Sequence, residues 1–257
     1  MNMQRIKRYL KSLTLLIPAL VFTGHVIAQP TCTTPAPPSQ DALDALASNF
    51  AMTVTDTPLY IRFQSPLLSV PKGLVIHPGG CVDPRAYAVI ARKIAANGYR
   101  VLIMKTPSEL IVAGVLPSLV GTALASETGV TKWALGGHSV GGVAAAQWIF
   151  DNPTSTAVKG LALWASYVNP AKALSSRIDI KGLSIAGSQD CVLPPATVAQ
   201  FNWAAPPGTI FQVMTGANHA QWGDYGPQSG DCAATITRLQ QKINGKNSTI
   251  DNLLQLL

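Results

Sequence analysis

The sequence predicts an α/β fold: a mostly parallel sheet with an antiparallel hairpin at its N-terminal edge and helices on both faces. Three observations predict it. Short apolar runs alternate with helical patterns along most of the chain, the signature of strand–helix–strand units. One of these units, residues 73–104, carries an unusually clear helix. And the run Gly137-His138-Ser139-Val140-Gly141-Gly142 joins a buried strand to an Ala-rich helix through a very tight turn.

The chain has 257 residues, 47% of them hydrophobic and 12% charged, so a large core is possible and disorder is not expected. The net charge of +7 invites a nucleic-acid partner, but Arg5, Lys7, Arg8 and Lys11 all lie in the first eleven residues. Residues 1–28 contain no acid; without them 15 basic and 12 acidic residues remain, a net +3. With no basic run elsewhere, no nucleic-acid partner is expected. A basic head, the apolar run 13–22 and the small-residue site Val26-Ile27-Ala28 before Gln29 read as an export signal cleaved near Ala28. Pro18 and His25 interrupt that run, which is too short for a comfortable membrane span, so no stable membrane insertion is expected after cleavage. The expected location is periplasmic or extracellular. Cys32, Cys81, Cys191 and Cys232 then form an even set, consistent with two disulfides in any of three connectivities.

In chain order, residues 29–47 read as a Pro- and Thr-rich extension with a short helix at 41–48, and 48–257 as a single domain. Residues 50–55 and 59–63 are the edge hairpin, turning at Asp56-Thr57-Pro58. Residues 73–77 form an apolar strand that ends at Pro78-Gly79-Gly80. The clear helix follows: Asp83 is its N-cap and Pro84 its first residue. Tyr87, Ile90, Ala91, Ile94 and Ala95 share one face, and Gly98 ends it. Residues 99–104 return as a strand. Residues 107–128 are apolar but irregular, read as one or two short helices. The strand 131–136, the Ser139 turn and the helix 143–150 come next, ending at Asp151-Asn152-Pro153. Strands at 158–165 and 182–187, a helix at 194–204 and a strand at 209–214 follow. The tail carries a helix at 233–243, with Ile236, Leu239 and Ile243 as its apolar face, and a short helix at 250–257.

Parallel sheets bind ligands at the carboxyl ends of their strands. Four such ends carry chemistry here: Gly79-Gly80, Ser139, Asp190 and His219. A strand, Gly-x-Ser-x-Gly and a helix make a nucleophile elbow, whose tightness strains the nucleophile and excludes side chains beside it. A serine hydroxyl is a weak nucleophile at neutral pH and needs a base, which in turn needs an orienting acid. His219 is the candidate base and Asp190 the candidate acid, with Asp224 and Asp231 as competing carboxylates. Asp83 is better explained as a cap. His77 and His138 precede turns and suit packing or pocket shaping; His25 lies in the export segment. The oxyanion donors would be the Val140 N–H and, because Pro78 has none, the N–H of Gly79 or Gly80.

The chain resembles the α/β-hydrolases from about Phe50 to Ile243, and within them a compact bacterial subgroup. The telling stretches are His77-Pro78-Gly79-Gly80 with Val82-Asp83-Pro84, Gly136 to Gly142, Ala165-Ser166-Tyr167, Gly187-Ser188-Gln189-Asp190, and Asn218-His219-Ala220-Gln221-Trp222-Gly223-Asp224-Tyr225-Gly226. The resemblance implies a three-layer α/β-hydrolase fold, with Ser139, Asp190 and His219 as nucleophile, acid and base. The cysteines and the export signal depart from the subgroup. If Asp190 touches His219, the loops bearing Cys191 and Cys232 are neighbours. That suggests Cys191–Cys232, leaving Cys32 to pair with Cys81. The expected activity is cleavage of a small-molecule carboxylic ester through an acyl-enzyme, with neither metal nor organic cofactor. A lactone or peptide hydrolase using the same triad, and a non-catalytic binding protein on this frame, are the alternatives. With 105–130 as the only sizeable insertion, the pocket is expected to be open, walled by Trp222, Tyr167 and Leu110.

Overall fold

The computed structural model describes residues 34–105 and 118–257. The export segment, Cys32 and Leu110 lie outside the described residues.

Eight strands form one sheet: β1 (Thr53–Asp56), β2 (Tyr60–Gln64), β3 (Lys72–His77), β4 (Arg100–Met104), β5 (Lys132–His138), β6 (Val158–Trp164), β7 (Lys181–Gly187) and β8 (Ile210–Met214). Their order is β1-β2-β4-β3-β5-β6-β7-β8. β1 and β2 form the expected antiparallel hairpin, and β2 runs antiparallel to β4. The other neighbours are parallel. The helices are α1 (Gln40–Asp44), α2 (Ala88–Ala95), α3 (Ser118–Ser126), α4 (Val140–Asp151), α5 (Pro195–Ala199) and α6 (Arg238–Asn252).

The inner strands β3 to β7 are buried along almost their whole length because helices cover both faces, whereas the edge strands β1 and β8 are largely exposed. Leu74 and Ile76 of β3 join Ile90 and Ile94 of α2 and Ile250 of α6 in one core. Val75, between them, points the other way and joins Val120 of α3 and Ala145 and Ile149 of α4. The alternation is the two-residue period of a strand. At the start of the helical segment after β3, Asp83 accepts the Arg85 N–H, as a cap should. The first turn, Pro84–Tyr87, is a 3-10 helix that leads into α2.

Two helices differ from the sequence reading. The expected helix at 194–204 is α5 followed by a separate 3-10 turn, Asn202–Ala204. The expected helix at 233–243 begins only at Arg238, capped by Thr237, and runs to Asn252, so the expected 250–257 helix is its end plus a 3-10 turn. Its buried face is also different. Leu239 is 53% exposed, whereas Gln241, Lys242, Gly245 and Thr249 are buried. Specific partners outweigh the apolar period here. Gln241 Nε2 donates to the Asn218 carbonyl and its Oε1 accepts the Asn218 N–H. Lys242 Nζ donates to Asp224 Oδ1 at 2.6 Å. Gly245 leaves room for the Trp222 ring, which a Cβ would strike.

Candidate active site

β5 ends at His138 and α4 starts at Val140, so Ser139 alone makes the turn between them. Its backbone is at φ 54°, ψ −128°, a left-handed region that costs a non-glycine residue about 1–3 kcal/mol. Neighbouring contacts hold it there. The Ser139 N–H donates to the Trp164 carbonyl at 3.0 Å, and Ser166 Oγ donates to the Ser139 carbonyl at 2.6 Å. The flanking glycines are steric requirements. A Cβ on Gly137 would lie 2.5 Å from the Gly141 carbonyl carbon and 2.6 Å from the His77 oxygen. One on Gly142 would strike the Ser166 side chain. Val140 is the first residue of α4, so its N–H has no acceptor within the helix.

The turn after β3 faces this elbow. The Gly79 N–H donates to the Tyr87 hydroxyl at 2.8 Å, and that hydroxyl bonds His138 Nδ1 at 2.9 Å. Gly79 therefore has its donor occupied, and of the two glycines Gly80 is the one left to offer an N–H. Tyr87 is a contributor that the sequence disguised, since its position on the apolar stripe of α2 reads as core. Burial and the neighbouring His219 hold the His138 imidazole well below its usual pKa, so this ring is neutral. His77 Nδ1 donates to the Gly136 carbonyl at 3.1 Å; burial lowers its pKa to about 4. Both histidines are structural at neutral pH.

Asp190 and His219 meet. His219 Nδ1 donates to Asp190 Oδ2 at 2.8 Å, and both side chains are buried. Asp190 Oδ1 accepts the Leu193 N–H at 2.6 Å. With Nδ1 donating to the carboxylate, Nε2 is the ring nitrogen left to accept a proton. It is buried and makes no hydrogen bond among the described residues, so the Ser139 hydroxyl is not bonded to it in this arrangement. The imidazole lies beside the elbow, 4.5 Å between ring centroids from His138, the residue preceding Ser139.

The competing carboxylates have other partners. Asp224 pairs with Lys242, and Asp231 accepts backbone N–H groups from the loops around it. Cys191–Cys232 forms, with Cα atoms 5.3 Å apart. Cys81 is disulfide-bonded, and its expected partner Cys32 lies outside the described residues. Trp222 departs from its expected role. It is fully buried, stacked on Trp164 at 5.2 Å, and so walls no open pocket. Tyr167 is half-buried and stacks on Phe201 at 4.5 Å. Among the described residues no group of three or more His, Cys, Asp or Glu is placed to hold a metal ion, and no helix is long and apolar enough to cross a membrane.

No curated protein matches the sequence. Residues 73–243, from β3 into α6 and including Ser139, Asp190 and His219, match the alpha/beta hydrolase family. With a mostly parallel sheet, helices on both faces and a strained serine at the strand-to-helix turn after β5, the chain belongs to the alpha/beta hydrolase family, a family of hydrolases.

Proposed function

We propose that this hydrolase is a serine esterase that cleaves carboxylic esters through an acyl-enzyme. The observation that carries the reading is the buried His219–Asp190 bond of 2.8 Å, with the other imidazole nitrogen free of any partner among the described residues and beside a serine in a strained turn. In the proposed reaction Ser139 Oγ attacks the ester carbonyl carbon while His219 Nε2 takes the hydroxyl proton. Asp190 holds the proton on Nδ1 and stabilises the imidazolium. The carbonyl oxygen becomes an oxyanion and receives the N–H groups of Val140 and Gly80, which together contribute several kcal/mol to the transition state. As the tetrahedral adduct collapses, the alcohol leaves with the proton from His219. Water then attacks the acyl-enzyme by the same route and releases the acid and Ser139. Side chains of this chain carry out every proton transfer.

We further read residues 1–28 as a cleaved export signal and 48–257 as one catalytic domain. The Cys191–Cys232 bond suits an oxidising compartment outside the cytoplasm. The chemical test is direct: a fluorophosphonate probe should label the native enzyme at Ser139 and leave Ser139→Ala unlabelled. Equal labelling of both proteins would remove Ser139 from the mechanism.

A further inference from the structure

We propose that Asp231 is a positioning residue: it locks the acid loop to the base loop, in parallel with the Cys191–Cys232 disulfide. The inference rests on the serine-esterase reading above. One carboxylate reaches three backbone donors. Asp231 Oδ2 accepts the Ala220 N–H at 2.8 Å. Its Oδ1 accepts the Cys232 N–H at 2.9 Å and, at a longer 3.4 Å, the Cys191 N–H. Two of these donors have a special place in the chain. The Cys191 N–H belongs to the peptide plane that leaves Asp190, and the Ala220 N–H to the plane that leaves His219. Asp231 therefore holds the peptide planes attached to both members of the pair whose separation sets the base.

The rest of the base loop is braced from the other side. Gln241 of α6 brackets the Asn218 backbone through both its N–H and its carbonyl. Asn218 Nδ2 donates to the Cys232 carbonyl at 2.8 Å, which ties the base loop to the disulfide as well. Gln241 fixes the residue before His219, and Asp231 fixes the one after it. Charge-assisted hydrogen bonds to a carboxylate are about twice as strong as neutral ones, so this fork can hold the two loops when the covalent bridge is absent. The bridge can likewise hold them without the carboxylate. The two ties are redundant, which predicts strong non-additivity.

The experiment compares four proteins: the native enzyme, Asp231→Ala, Cys191→Ser with Cys232→Ser, and the triple variant. Turnover of a short-chain p-nitrophenyl ester and the His219 Nδ1 proton resonance are read for each. Either tie alone should keep kcat within about tenfold of native. Losing both should lower kcat by about 10³, more than the product of the separate effects, because misplacing catalytic groups by an ångström costs about a hundredfold or more. KM should stay within about twofold, since neither tie faces the substrate. Asp231→Asn in the bridge-free background should recover part of the loss, as its carbonyl can still accept one N–H; it also serves if the triple variant does not fold. The downfield Nδ1 proton signal should weaken in step with kcat. The proposal is overturned if Asp231→Ala has no effect in the bridge-free background, or if it lowers only the melting temperature while kcat and the proton signal stay native. The proton signal needs no substrate, so it tests the clamp even in a protein with no esterase activity. Failure of native enzyme to react with a fluorophosphonate would sink the esterase reading instead.

Discussion

Asp190→Asn is the sharpest perturbation of the proposed mechanism, because the structure dictates which way the new amide must face. Asp190 Oδ1 accepts the Leu193 N–H at 2.6 Å, and Oδ2 accepts His219 Nδ1–H at 2.8 Å. Asn offers one acceptor and one NH2. Turning the NH2 toward Leu193 would oppose two donors at 2.6 Å inside a buried loop. The carbonyl therefore keeps Leu193, and the NH2 faces Nδ1. Nδ1 must then accept, which moves the ring proton to Nε2, the nitrogen that has to receive the Ser139 proton. The base is in the wrong tautomer while volume and packing are preserved. The expected loss in kcat is about 10⁴, equivalent to about 5 kcal/mol of barrier. Steady-state hydrolysis of a p-nitrophenyl ester measures it, with a thermal melt alongside to show that the fold survives. A variant that keeps kcat within tenfold of native would refute the assignment and return the role to another carboxylate.

Two further perturbations follow from the same neighbourhood. Tyr87→Phe removes the acceptor of the buried Gly79 N–H and the partner of His138 Nδ1. It should lower stability by about 1–3 kcal/mol and also lower kcat, since the oxyanion turn loses its anchor; a melt and a rate unchanged from native would count against that anchoring role. Lys242→Met strands the buried Asp224 carboxylate and should cost about 3–5 kcal/mol, partly restored by pairing it with Asp224→Leu. Burial lowers the Lys242 pKa from 10.5 to about 8, outweighing the opposing pull of Asp224. The unfolded chain then binds the proton more tightly than the native one. Stability attributable to this lysine should therefore rise as pH increases from about 8 to 10.5. Denaturant titrations across that range should show the rise in native enzyme and lose it in Lys242→Met; identical slopes would contradict the burial argument.

The site was legible wherever a residue's role depends on its own segment. Gly137, Gly141 and Gly142 announce the elbow because only glycine fits backbone that close, and the structure places carbonyls and the Ser166 side chain where their Cβ atoms would be. Asp83 and Pro84 announce a helix start by local chemistry alone. The choice among Asp190, Asp224 and Asp231 as partner of His219 was not local. Asp190, just past the end of β7, was the favoured candidate, but Asp224 and Asp231 follow His219 in its own loop and compete with it; that one pairs with Lys242 and the other gathers backbone N–H groups depends on partners elsewhere in the fold. Tyr87 was hidden because an aromatic on an apolar stripe looks like core whether or not its hydroxyl is used. α6 was misplaced because its buried face consists mostly of Gln241, Lys242, Gly245 and Thr249, which an apolar period does not count.

Read residue by residue, the chain already shows the alternation of strands and helices, the tight serine turn and a resemblance to the family of the fold. The alternation and the tight turn follow from hydrophobic period, capping and the shape of glycine, which act over a few neighbouring residues; the family follows from the resemblance of the motifs. The three-dimensional arrangement was needed to show that Asp224 and Asp231 have other partners, that Gly79 spends its N–H on Tyr87, that Trp222 is core, and that Asp231 joins the two loops. Those outcomes depend on partners distant in the chain, and a hydrogen bond is set by where two groups meet in space rather than by how far apart they lie in the polymer.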